Sequence, residues 1–182
     1  MTLPNASDDI LRLARSGLVG FEVAGHLLSI PIGFVREVNQ QLDLTPVRRA
    51  PSYLRGLVNL RGQVVTVVDL GVRLGAPRRE ITASSRLVVL KTTAEFMDGE
   101  IADDKMGFLV DRITDIVTPS RSDLEAPPAN LSARAAPYVV GVCKTRSSAL
   151  GILNPKPLLS ADDAVYERFA ATGLPEAIAQ EG

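Results

Sequence analysis

The sequence predicts an all-β protein made of two β subdomains of similar plan, and two observations carry that prediction. The first is a succession of brief runs rich in Val, Ile and Leu and bounded by Gly, Pro, Asp or Ser. They are too short for helices and have the β-branched content of strands. The second is an internal repeat. One offset, 85 residues, lays Tyr53 on Tyr138, Gly56 on Gly141, Arg61 on Arg146, Val67 on Ile152 and Asp69 on Asn154. Another, 78 residues, lays Ile30 on Phe108, Val35 on Ile113, Glu37 on Asp115 and Val38 on Ile116. Agreement at Tyr, Gly, Arg and acid or amide positions goes beyond the apolar agreement common to β-proteins. The subdomains are expected at approximately 17–80 and 85–154, with strands near their ends able to cross between them. A groove between two such units is a natural binding place.

The elements follow in order. Ser7-Asp8-Asp9 offers an N-cap and an acidic first turn, with Ile10, Leu13 and Ala14 on one stripe and Gly17 as the stop. Strands are expected over 18–23, 57–58, 64–68, 87–90, 106–110 and 138–142. Gly25-His26 reads as a hairpin tip. The acidic stretch from Ala94 to Lys105 and the Pro- and Ala-rich stretch from Glu125 to Pro137 read as loops. Clustered carboxylates in the first suit a hard cation, but their spacing misses the calcium-loop pattern. A C-terminal helix is expected over 160–173: Ser160 and Asp163 resemble a capping box, Val165 and Phe169 share a face, and Gly173 precedes Pro175. The last residues read as frayed.

Composition narrows the chemistry. The 182 residues carry 20 basic and 21 acidic side chains, a net charge of −1, so there is no basic surplus for phosphate backbones. Aromatic residues are 4% and Trp is absent, which leaves few stacking platforms for single-stranded nucleic acid. A small nucleic-acid-binding barrel is therefore the remote alternative. No apolar run reaches the roughly 20 residues of a membrane span, and the first residues lack the pattern of a signal peptide. The single cysteine fits a reducing compartment, and the cytoplasm is the default. His26 and Cys143 are each alone of their kind, which excludes a cysteine–histidine zinc cluster and leaves a triad only an exposed turn histidine to use. Cys143 reads as a small buried filler. No phosphate loop or dinucleotide fingerprint is present. The expectation is a protein that is not an enzyme, with no catalytic residue, no cofactor and no metal.

The strongest signal lies between Thr45 and Leu70. Asn59-Leu60-Arg61-Gly62 interrupts two apolar runs that should pair as a hairpin; Gly62 supplies positive φ and Asn59 a local hydrogen bond. Arg61, beside that turn, needs a carboxylate for its guanidinium, and Glu37 is the candidate.

This stretch resembles the CheW family, the coupling proteins of bacterial chemotaxis. The resemblance is carried by Pro51, Tyr53, Gly56, Asn59-Leu60-Arg61-Gly62, Val64-Val65 and Val67-Val68-Asp69-Leu70. Upstream it includes Ile30-Pro-Ile-Gly-Phe-Val-Arg-Glu-Val38, and downstream Gly107-Phe-Leu-Val-Asp111 with Ile113-Thr-Asp-Ile116. It runs from about residue 17 to 160 and implies that 1–182 is a single CheW-like domain: two SH3-like β-barrels around a shared core, with short terminal helices. It also implies an adaptor that bridges the cytoplasmic tip of chemoreceptors to the regulatory domain of a CheA-type histidine kinase, at the membrane only through those partners. Nucleic acid and direct membrane insertion are not expected. Glu37 and Arg61 match the family's ion pair at the receptor groove, and Val35, Val38, Arg55, Gly56 and Asn59 fall around its rim. The sequence departs from the family where Asn154-Pro155 replaces Asp-Leu and where the last hairpin is less apolar. These departures raise an alternative, a paralogue with one binding face lost or one serving a non-flagellar pathway.

Overall fold

The structure, a computed structural model, describes residues 6–40, 42–91 and 105–159. Most of the acidic stretch and the helix expected over 160–173 lie outside these residues.

Helix α1 (Ala6–Ala14) precedes strands β1 (Leu18–Val23), β2 (His26–Pro31) and β3 (Val35–Asn39), with a single 3-10 turn at Ile32–Phe34 before β3. Strands β4 (Leu54–Leu60) and β5 (Gln63–Asp69) form a hairpin that runs into α2 (Leu70–Arg73). Then come β6 (Arg86–Leu90), β7 (Met106–Val110), β8 (Arg112–Val117), β9 (Leu124–Glu125), β10 (Val139–Lys144), β11 (Ala149–Leu153) and α3 (Pro155–Leu159). The protein is all-β as expected, in two sheets ordered β8-β1-β2-β11-β10-β9 and β3-β6-β7-β5-β4.

The repeat is real in three dimensions, but its halves are exchanged. Strands β1 to β5 correspond to β6, β7, β8, β10 and β11. Of these ten, each sheet takes the first two of one half and the last three of the other, and the short strand β9 adds a sixth to the first sheet. The joint is a parallel pair in both cases, β2 with β11 and β7 with β5, while the neighbouring pairs are antiparallel. The sheets therefore do not divide at the 17–80 and 85–154 boundaries: β1 and β2 lie with the late strands, and β6 and β7 with the early ones. Details repeat too. A bulge opposes Leu54–Gly56 in one half and Val139–Gly141 in the other. An outer segment crosses at Thr45, bridged to Leu57, and at Glu125, paired with Val142.

This exchange explains the cores. One cluster is shared: Phe21, Val23, Ile30 and Leu153 from the first sheet meet Val68, Val88, Phe108 and Val110 from the second. A second cluster packs Ile10 and Ala14 of α1 on Leu18, Val140, Cys143 and Ile152. A third fills the other sheet with Val58, Val65, Val67, Leu87 and Val89. Leu13 departs from the expected stripe: it is 41% exposed, and Leu11 packs on the core instead. One apolar row of a nine-residue helix suffices to cover the sheet end.

Gly56 is required twice over. Its φ is +149°, and a Cβ there would stand 2.6 Å from the Thr45 carbonyl oxygen, part of the crossing backbone. Gly62, at the hairpin turn, has φ +80° but nothing within 4 Å of its Cβ position. Gly56→Ala is expected to cost about 2–4 kcal/mol and Gly62→Ala only about 1 kcal/mol. Chemical denaturation of both variants checks this order; equal losses would mean that the Thr45 contact yields without cost.

Candidate functional site

The β4–β5 hairpin places Arg61. Leu60 pairs with Gln63, so Arg61 and Gly62 alone make the turn, with φ of +53° and +80°. Both central residues in the left-handed region define the mirror-image turn that matches strand twist. Asn59 Oδ1 accepts a hydrogen bond from Gly62 N at 2.9 Å and holds it. Arg61 is thus in the turn, not beside it, and its side chain projects past the sheet end.

There Arg61 Nη1 donates to Glu37 Oε2 at 3.3 Å. Glu37 sits on β3 and Arg61 at the tip of β4, and these are opposite edges of one five-stranded sheet. A flat sheet would hold such edges roughly 19 Å apart, so the contact reports that the sheet curls toward a barrel. The Arg61 side chain is 85% exposed and Glu37 30%. An ion pair this solvated contributes about 0–1 kcal/mol to folding, so it is not a structural latch. A recess of about 140 Å³ lies beside it, with Arg36, Leu60, Val65 and Val89 on its walls. Val38, on the same strand as Glu37, is 43% exposed.

The remaining expected residues are elsewhere. Val35 is half-buried against the shared core, and Gly56 is buried under Thr45. Asn59 serves the turn. Arg55, at the far end of β4, bonds Asp69 Oδ2 at 3.5 Å through Nη1 and the Arg79 carbonyl at 3.1 Å through Nη2. Six residues of strand separate it from Arg61, about 20 Å. Glu37, Asn59 and Arg61 therefore gather at one sheet end; Val38, next along β3 with its side chain on the other face, does not line the recess beside them, and Arg55 belongs to another surface. The seam between the sheets lies apart from the ion pair. There Asp111 takes Arg79 at 3.1 Å and the Ala24 backbone N–H at 2.8 Å.

Two features escaped the sequence reading. The Arg73 guanidinium sits 4.9 Å from the Tyr53 ring centre and 5.4 Å from that of Tyr138, the two repeat-related tyrosines. Its Nε is buried without a hydrogen-bond partner, and the two ring faces help to stabilise the charge. The tyrosine repeat was visible, but nothing in the pattern named the cation between them. Ile116, the repeat counterpart of Val38 on outermost strand β8, is 66% exposed.

His26 opens β2 opposite Val23, exposed at the Ala24-Gly25 turn. Among the described residues no group of three or more His, Cys, Asp or Glu side chains is placed to hold a metal ion, and no helix is long and apolar enough to cross a membrane. Asn154 does for α3 what Asp69 does for α2: their Oδ1 atoms accept from Lys156 N and Val72 N, both at 3.1 Å. With Pro155 at the first helical position, the Asn-Pro departure keeps the cap and needs one donor fewer.

A family model described as a CheW-like domain matches residues 17–163. The Chemotaxis protein CheW of Treponema pallidum is 29% identical over 150 residues, covering 80% of this chain and 83% of its own length. The Chemotaxis protein CheW of Rhizobium meliloti is 32% identical over 126 residues, 69% of this chain and 75% of its own. The crystal structure of the scaffolding protein TtCheW from Thermoanaerobacter tengcongensis superimposes with a TM-score of 0.66 at 25% identity, covering 80% of this chain and 93% of that one.

Two outcomes follow from this geometry. Asp69→Asn should retain the helix cap and cost about 1 kcal/mol less than Asp69→Ala, measured by urea unfolding. Cys143 is fully buried, and desolvation, with the Asp123 charge second, raises its thiol pKa. Less thiolate at neutral pH means that a charged disulfide reagent should label Cys143 only as the chain unfolds. Labelling of the native chain as fast as of a free thiol would show the site open.

Proposed function

The chain belongs to the CheW family, and we propose that it acts as a non-catalytic coupling adaptor of chemotaxis signalling, joining chemoreceptors to a CheA-type histidine kinase. The observation that carries this reading is the family match across both halves of the exchanged repeat, from residue 17 to 163. The finer assignment is that the receptor's cytoplasmic tip docks at the sheet end bearing Glu37, Asn59 and Arg61, and that the kinase's regulatory domain docks elsewhere on the same chain. Such work is cytoplasmic, with the membrane reached only through the receptor.

The chemistry of that end supports docking. An exposed guanidinium uses one of its five donors on Glu37 and offers the rest, beside a recess walled by the apolar Leu60, Val65 and Val89. Arginine next to an apolar contact is a frequent centre of binding energy. The same pair adds little to folding, so its charges can be exchanged without unfolding the chain.

Arg61→Glu should keep the melting temperature within a few degrees and lose receptor binding, while Arg61→Glu combined with Glu37→Arg should recover part of it. Co-sedimentation with receptor-containing membranes, and titration calorimetry against the kinase regulatory domain, measure the two contacts separately. A folded Arg61→Glu chain that binds both partners normally would overturn the site. A wild-type chain that binds neither would overturn the function.

A further inference from the structure

A cleft of about 580 Å³ opens on the surface to which Arg55 belongs, away from the Glu37–Arg61 end. Arg49, Arg55 and Arg78 line it, and no carboxylate does. Asp69, Glu80 and Asp111 line a separate, far smaller recess instead, so charge is sorted between the two. Arg55 gives Nη1 to Asp69, which balances its charge, and Nη2 to the Arg79 carbonyl. Arg78 donates Nη2 to the Ser52 carbonyl at 3.2 Å, a neutral partner. Arg49 is exposed, with no hydrogen bond or ion pair from its side chain among the described residues. Two cations of the cleft are therefore uncompensated, in a chain whose net charge is −1.

The walls between these charges are apolar and stiff. Pro46, Pro51 and Pro77 stand among them, with Leu54 and Val72. Proline fixes φ and lacks a backbone N–H, so these positions present rings rather than donors and lose little freedom when covered. The loop that carries Arg49 is bounded by Pro46 and Pro51, and Arg49 itself lies in the left-handed region at φ +59°. Arg55 and Arg78 are anchored to different carbonyls, and each keeps donors free at its own anchor. Carboxylates spaced along a chain, with aliphatic side chains between them, match separate cations set in apolar walls; a lone phosphate has no use for the walls. We propose that the cleft docks an acidic segment of a partner polypeptide, its carboxylates on Arg49 and Arg78 and its aliphatic side chains on the prolines. This surface is additional to the Glu37–Arg61 end and does not rest on the adaptor reading.

The test uses the full chain with neither kinase nor receptor, so either reading can fail without the other. The probe is a short fluorescein-labelled peptide of alternating Glu and Leu, followed by fluorescence anisotropy. Binding is expected that weakens as salt is raised and is absent when Gln replaces each Glu of the peptide. Amide exchange should slow over 46–55 and 72–78 when the peptide binds. The Arg49→Asn, Arg78→Gln chain should bind about tenfold more weakly. Asn tolerates the left-handed backbone and neither substitution breaks an ion pair, so the melting temperature should hold. Arg12→Gln with Arg121→Gln removes the same charge from two exposed positions elsewhere and should leave the affinity unchanged. Equal losses in the two double variants overturn the proposal, because the peptide would then report net charge alone. So does a wild-type chain that fails to bind the peptide at low salt. Inorganic pyrophosphate that displaces the peptide at a lower concentration than unlabelled peptide does would assign the cleft to a small anion. Phosphatidylglycerol vesicles that outcompete the peptide on the wild type, and do not bind the Arg49→Asn, Arg78→Gln chain, would assign it to a membrane surface. Either result overturns the docking of a polypeptide.

Discussion

The parallel pairing of β2 with β11, and its counterpart of β7 with β5, is the constraint on which the rest of this molecule depends. Each half donates a hairpin to the sheet of the other, so neither sheet exists without both halves. The shared cluster is the energetic consequence. Phe21, Phe108, Ile30 and Val88 are fully buried, and they come from strands that the exchange brings together. Burial of one such side chain contributes roughly 1.5–3 kcal/mol, and removing the crossing would expose a whole set at once. Parallel pairing also needs long connections, and the chain supplies them, with more than a hundred residues between β2 and β11.

Within this near two-fold plan, the places where the halves differ are where function is expected to reside. Both hairpins carry Arg at the same turn position, Arg61 and Arg146, but Gly62 faces Ser147 across the repeat. Without a glycine the second turn does not enter the left-handed region. Its ladder ends one pair earlier, at Lys144 and Ala149, and Thr145 and Ser148 bond each other instead. No ion pair joins Asp115 to Arg146 among the described residues, whereas Glu37 and Arg61 meet. Gly62 against Ser147, together with Glu37 against the shorter Asp115, separates a tip that presents its arginine to a carboxylate from one that does not.

How much of this was legible beforehand follows from what each signal measures. Alternation and β-branching report which residues are strands, and β1 and β7 fall where Leu18–Val23 and Met106–Val110 predicted them. The repeat foretold equivalent strands and glycines. Pairing partners are another matter, because a run of valines reads the same in either sheet; crossing of end strands between 17–80 and 85–154 was expected, but which strands cross was not readable. The Glu37–Arg61 contact was legible from residue type and family resemblance. Its solvation was not, since exposure depends on where two sheet edges close. Arg73 between Tyr53 and Tyr138 was invisible, because the rings meet only once the halves are folded together.

That solvation decides what the pair is for. A buried ion pair must repay the loss of water from both charges, and removing one partner then damages the fold by several kcal/mol. Here water remains on most of the Arg61 side chain, so folding gains little from the contact. The turn nevertheless fixes the Arg61 backbone in a conformation that non-glycine residues rarely adopt, with Asn59 bonded across it. A left-handed backbone at a non-glycine residue costs stability, and what it fixes is the point at the sheet end from which the Arg61 side chain starts. A partner that supplies a carboxylate and an apolar cover then has only the side chain, and not the backbone, left to order. On the proposed reading, the desolvation that folding leaves undone falls to an interface, where covering Arg61 together with the apolar wall of Leu60, Val65 and Val89 strengthens its remaining donors.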